Sequence, residues 1–262
     1  MTLIEAIGIA LAGLAAGTIN TIVGSGTLIT FPTLLFLGYA PVTANVSNTM
    51  GLVAGGVSGA WGYRAELVGL RSMLLRLLPT SLIGGIVGAV LLLVLPESAF
   101  ESIVPALIAL ALVLVVVGPR LNRWAAGRRG TAVPPRHAAD GLGAGRTIAL
   151  VVGVFGAGVY GGYFGAAQGV LLVGIMGALL PLTLQQINGV KNVLALVVNL
   201  IAAVIFLIVA PDHINWVVAG LIAAGSTVGG LVGAKIGRRM PPWLLRGVIV
   251  VIGSIAIAVL LL

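Results

Sequence analysis

Ser81-Leu82-Ile83-Gly84-Gly85-Ile86-Val87-Gly88-Ala89 returns later in the chain as Ser226-Thr227-Val228-Gly229-Gly230-Leu231-Val232-Gly233-Ala234, with six of the nine positions identical. In a chain this rich in glycine and aliphatic residues one such match carries little weight, so its surroundings decide. Asn45-Val46-Ser47-Asn48 heads a long apolar run, and Asn188-Gly189-Val190-Lys191 heads another. Further upstream, Gly17 and Gly24 bracket six residues, as do Gly158 and Gly165. The three matches keep one order, at offsets of 145, 143 and 141, a drift that small loop changes explain. The chain is therefore a tandem repeat: a first transmembrane repeat over 1–118, a basic linker over 119–146 and a second transmembrane repeat over 147–262.

Composition sets the solvent. Of 262 residues, 60% are hydrophobic and 8% are charged, too little charged surface for a water-soluble domain. Apolar runs such as 103–118 and 244–262 have the length and purity of bilayer-spanning helices. The net charge of +8 points to topology rather than to nucleic acid, because the arginines flank the apolar runs. The absence of cysteine excludes disulfides and thiolate metal sites. The N-terminal segment has an apolar core but carries Glu5 where a signal peptide carries Lys or Arg, so it reads as a retained helix.

Each half has the same plan. A glycine-broken apolar segment comes first (3–23; 148–164), then a segment of about a dozen residues (27–37; 169–180) that is too short to span and reads as re-entrant. Long helices at about 45–63, 72–95 and 100–118 complete the first half, and at about 188–209, 214–235 and 243–262 the second. The expected fold is thus an all-α polytopic membrane protein of two repeats, each a broken or re-entrant helix hairpin followed by three transmembrane helices. That makes about eight transmembrane helices plus half-helices.

Loop charge sets the orientation. Arg64, Arg71 and Arg76 gather at one turn; Arg120, Arg123, Arg128, Arg129, Arg136 and Arg146 in or beside the linker; Lys235, Arg238, Arg239 and Arg246 at a third place. The intervening loops carry Glu97 and Glu101, or Asp212 and His213. Basic loops stay cytoplasmic, which puts the linker on the cytoplasmic side of the cell membrane and both termini outside, and gives the halves opposite orientation. Inverted repeats are a transporter architecture, with the site near the midplane where broken helices meet.

Lys191 is the main ionisable residue expected within the membrane. At a helix end it would snorkel to the headgroups; at mid-depth a lysine marks a functional site. Its repeat position, opposite Asn48 and just after a re-entrant segment, favours the second reading. Asn45, Asn48 and Asn188 head their helices, where such side chains cap free N–H groups, and free N–H groups at a positive dipole end bind anions. Asn20, Ser25, Thr27, Tyr160, Tyr163 and Gln168 lie in or beside the broken segments and Asn192 follows Lys191, which completes the candidate substrate-binding set. Interhelical hydrogen bonding is the plainer role for polar residues in such helices. Gly84/Gly88 and Gly229/Gly233 read as helix packing, and Trp61, Tyr63, Trp216 and Trp243 as interfacial anchors.

The glycine-broken opening, the short segment after Gly24-Ser25-Gly26-Thr27-Leu28, Pro32, Ala44-Asn45 and the Asn188/Lys191 helix start resemble the TauE/SafE sulfite exporter family over nearly the whole chain. The second half departs from the family pattern, with Gly165-Ala166-Ala167-Gln168-Gly169 and no proline before Pro181. The resemblance implies transport of sulfite, sulfoacetate or other small organosulfur or carboxylate anions. The residues agree with an anion: one lysine with amide and hydroxyl donors, and no mid-membrane carboxylate of the kind a cation pump wants. Alternating access is the expected mechanism, and there is no Walker-type loop for ATP. Rival readings are a permease of another metabolite class or a non-transporting assembly subunit. An intramembrane enzyme would need a nucleophile with a base, or a metal cluster, and His137 and His213 both lie in polar loops. No cofactor, metal or nucleic-acid partner is expected; the partners are a small anion and the bilayer.

Overall fold

The computed structural model describes residues 1–127 and 143–236, with Gly247, Val250, Val251 and Ser254 of the last expected helix. The readings placed on Trp243, Arg238, Arg239, Arg246, the 243–262 helix and most of the central linker lie outside the described residues. Among those described, the chain forms nine α-helices and no strand: α1 Leu3–Ile22, α2 Thr27–Phe36, α3 Pro41–Gly62, α4 Arg71–Val94, α5 Glu97–Gly127, α6 Ala144–Tyr163, α7 Gln168–Leu179, α8 Leu184–Val209 and α9 Trp216–Ile236. Single turns of 3-10 helix follow α3 (Arg64–Leu67) and α8 (Pro211–His213).

Six helices are long and apolar enough to cross a bilayer, namely α1, α4, α5 (over Glu97–Val117), α6, α8 and α9. Their outward side chains are large and aliphatic, among them Leu11, Ile83, Val113, Val152, Leu207 and Val217, as a lipid-facing surface requires. α2 and α7, with 10 and 12 residues, are too short to span. α3 is 22 residues long but too polar to stand with the six. The reason is its place: Asn45, Ser47, Asn48, Thr49 and Ser58 are buried, because α3 packs against α1, α8 and α9. A helix wrapped by protein need not be apolar all round.

The halves exchange partners. α1 packs chiefly on α9 and α6 chiefly on α4, and glycines set the same register in both places. A Cβ on Gly84 would come within 2.5 Å of the Phe155 carbonyl oxygen, and one on Gly229 within 2.1 Å of that of Leu14. One helical turn on, Gly88 abuts the Val159 carbonyl and Gly233 that of Thr18. Backbones approach this closely only where no side chain intervenes, which is the small-residue mode of packing in membranes.

Local contacts also give direction. Asn215, just before α9, donates its N–H to Ser47 Oγ near the start of α3 at 2.9 Å. Gly189, near the start of α8, abuts Glu66 and Leu67 just beyond the end of α3. The matched helices α3 and α8 therefore run in opposite senses. On the end where α8 finishes, His213 Nδ1 lies 3.9 Å from Glu97 Oε1, so the two acidic loops share one side of the molecule.

Three sequence expectations are corrected. α3 and α8 start about a turn earlier than Asn45 and Asn188: Pro41 opens α3, and a capping box of Thr183 and Gln186 opens α8. The asparagines thus do not cap their own helices. Tyr63 is 1% exposed and is no interfacial anchor, whereas Trp61 and Trp216 are 63% and 57% exposed; the Arg64 guanidinium sits 4.5 Å from the Trp61 ring centroid. α5 runs past 118 to Gly127, since Arg120 to Ala126 is made of residues that a helix accepts.

Candidate functional site

Both broken segments are built alike. α1 ends where Gly24 turns at φ +88°, with its N–H and that of Val23 both bonded to the Ile19 carbonyl. α6 ends where Gly165 turns at φ +78°, with its N–H and that of Phe164 both bonded to the Tyr160 carbonyl. A glycine in the left-handed region permits such a stop, here with two successive N–H groups on one carbonyl. The two breaks then meet: Gly169 N–H donates to the Gly24 carbonyl at 3.0 Å, and a Cβ on Gly24 would lie 2.3 Å from the Gly169 Cα.

Each break leaves carbonyls at the end of its first helix, and in both cases a long helix of the opposite half supplies the donor. Asn45 Nδ2, from α3, donates to the Tyr163 carbonyl at 3.0 Å. Lys191 Nζ, from α8, donates to the Asn20 and Thr21 carbonyls at 2.9 and 3.0 Å, and Asn192 Nδ2 reaches the Thr21 carbonyl at 3.3 Å. Lys191 is 0% exposed, so it does not snorkel. Its positive end faces the negative end of the α1 dipole. Its stem passes beside Gly169, where a Cβ would lie 3.0 Å from Lys191 Cδ.

The other expected residues gather at the same junction. Asn48 Nδ2 donates to Thr27 Oγ1 at 3.2 Å and its Oδ1 accepts from Thr30 Oγ1, which holds the start of α2 against α3. Gln168 opens α7 with its amide against Gly161. The Tyr163 ring lies 5.6 Å from that of Phe100, in an aromatic group completed by Phe31 and Phe164. Tyr160 Oη donates to the Leu107 carbonyl at 3.4 Å and also lies against the Ala167 backbone in the second break. Asn188 is buried on α8 but makes none of these bonds. Thr21, Thr30 and Gly169 were not singled out from sequence; only Thr30, one turn after Thr27 on the same helix face, left a legible signal.

Two features give the junction chemical character. Neither α2 nor α7 has a side-chain cap at its start, at Gly26 and Ala167. α3, α4 and α6 also start without one, so what sets α2 and α7 apart is their place in the buried junction, where one N–H of α7, that of Gly169, is taken by the Gly24 carbonyl. In addition, Ser25 Oγ, Asn45 Oδ1, Tyr163 Oη and Gln168 Nε2 are buried without a hydrogen-bond partner among the described residues. A buried polar atom left unpaired costs about 1–3 kcal/mol, and these four belong to residues in or beside the two breaks, which makes the junction the candidate place for a polar guest. Among the described residues, no group of three or more His, Cys, Asp or Glu side chains is placed to hold a metal ion.

The family model described as "Sulfite exporter TauE/SafE" matches residues 9–260. The chain belongs to the TauE/SafE family. It is similar to the "Probable membrane transporter protein YfcA" of Escherichia coli K12, with 24% identity over 94% of this chain and 86% of that protein. It is also similar to a "Probable membrane transporter protein" of Haemophilus influenzae, with 27% identity over 91% of this chain and 88% of that protein. No solved structure matches the chain. This TauE/SafE member is thus a multi-pass membrane protein of a transporter family, and the junction of its two broken helices is its candidate site.

Proposed function

We propose that this TauE/SafE member exports small anions across the cell membrane by alternating access: sulfite, sulfonates or related organosulfur and carboxylate anions. The observation that carries the reading is the pair of uncapped helix starts of α2 and α7, ringed by the unpartnered Ser25, Tyr163 and Gln168 donors. Free N–H groups at a positive dipole end take an oxyanion without a full counter-charge. The Lys191 ammonium adds one buried positive charge beside them, and its hydrogen-bond partners are backbone carbonyls.

Transport follows from the paired build. α3 and α8 run in opposite senses and each caps the other half's broken helix, so the arrangement supports an inverted repeat that rocks about the junction. In the orientation that loop charge favours, both termini lie outside and the 119–146 linker lies in the cytoplasm. An inside-negative potential then favours exit of a monoanion by about 2.3 kcal/mol per 100 mV.

Purified protein in liposomes loaded with sulfite, methanesulfonate or acetate tests this. Anion efflux above that of protein-free liposomes, lost in Gln168→Glu, is the expected result. If no member of that panel crosses faster than through protein-free liposomes, the transport reading fails.

A further inference from the structure

The end of a broken helix in a membrane is a natural cation site, because its last carbonyls lack intrahelical donors and the dipole there is negative. In transporters with broken helices such carbonyls commonly coordinate a free coupling cation. Here the carbonyl oxygens of Asn20 and Thr21 converge at the end of α1, and what they hold is Nζ of Lys191, at 2.9 and 3.0 Å. Asn192 Nδ2 shares the Thr21 carbonyl from the next residue of α8. Among the described residues no carboxylate pairs with this ammonium, so carbonyl oxygens and the helix end alone balance it.

We propose that the Asn20 and Thr21 carbonyls form a cation-binding cradle that the chain fills with its own tethered ammonium, so that no free coupling cation is bound there. The first half brings the cradle and the second half brings the cation, which locks α8 to the α1 break. The matched contact in the other direction is neutral, Asn45 Nδ2 on the Tyr163 carbonyl. One break thus carries a built-in charge and the other does not. The cradle stands on geometry; its consequence for coupling rests on the transport reading above.

Lys191→Ala removes Cγ, Cδ, Cε and Nζ, the atoms of n-propylammonium. The variant in detergent is expected to lose about 10 °C of apparent melting temperature. Propylammonium is expected to restore at least half of that loss, whereas 1-propanol and tetraethylammonium restore nothing and wild type responds to none of them. Lys191→Met, of similar length but uncharged, is expected to be destabilised as well. Wild-type stability in Lys191→Met, or a Lys191→Ala protein indifferent to propylammonium, overturns the proposal. If neither variant accumulates, wild-type liposomes decide: anion efflux unchanged when choline replaces sodium is expected, and a sodium requirement overturns it. Ammonium rescue without any anion transport would leave the cradle standing and sink the transport reading instead.

Discussion

α1 with α2, and α6 with α7, are the same device made twice: a helix, a four-residue connection containing a left-handed glycine, and a short helix that starts in the interior without a side-chain cap. They differ in how the stopped helix is closed. The α6 end receives a neutral amide from α3, and the α1 end receives an ammonium and an amide from α8. They also differ in space. At Gly24 the backbone of Gly169 lies against the position of a Cβ, whereas at Gly165 the nearest neighbour would be the Gly161 carbonyl at 3.1 Å. Near-symmetric backbones can therefore present an asymmetric electrostatic site, because a single side chain sets its charge.

The largest effect is expected at the crowded glycine. Gly24→Ala adds backbone overlap to left-handed strain and should cost about 3 kcal/mol or more, while Gly165→Ala should cost only the strain, about 1–2 kcal/mol. Thermal unfolding in detergent measures both, and equal losses would dismiss the spatial half of the comparison. Gln168→Glu places a carboxylate at the start of α7 and should weaken sulfite binding about a hundredfold, about 2.7 kcal/mol. A thermal-shift titration with sulfite reads this out, and undiminished affinity would remove α7 from the site.

Smaller effects separate the two closures. Asn45→Leu leaves the Tyr163 carbonyl buried and unpaired, with an expected loss of about 1–3 kcal/mol. Asn192→Leu should cost less, because Lys191 still serves the Thr21 carbonyl. A reversed order in unfolding measurements would mean that the charged closure depends on its amide. Last, Thr183→Ala removes an exposed cap from α8 and should cost about 1 kcal/mol without altering sulfite affinity. A change in affinity there would show that the outer helix starts belong to the site.

Much of this was legible in the residues. The spans followed from apolar length, the short helices from runs of about a dozen residues, and the breaks from Gly24 and Gly165. Asn45, Asn48, Lys191 and Asn192 do meet the broken segments. Their roles were not legible. Asn45 and Asn188 were expected to cap their own helices, and neither does. The capping box of Thr183 and Gln186, one turn earlier, holds the start of α8 instead. Tyr63 sits next to exposed Trp61 in sequence yet turns inward.

By itself, the sequence determined the solvent and the two break points, because a bilayer admits only long apolar helices and a left-handed stop admits chiefly glycine. Only the tertiary structure decided which helix end each polar side chain serves. The acceptors are backbone carbonyls, which every residue carries and no motif marks. They become partners of Asn45, Lys191 and Asn192 only because α1 packs on α9, α6 packs on α4, and each half lays its broken helix against the other.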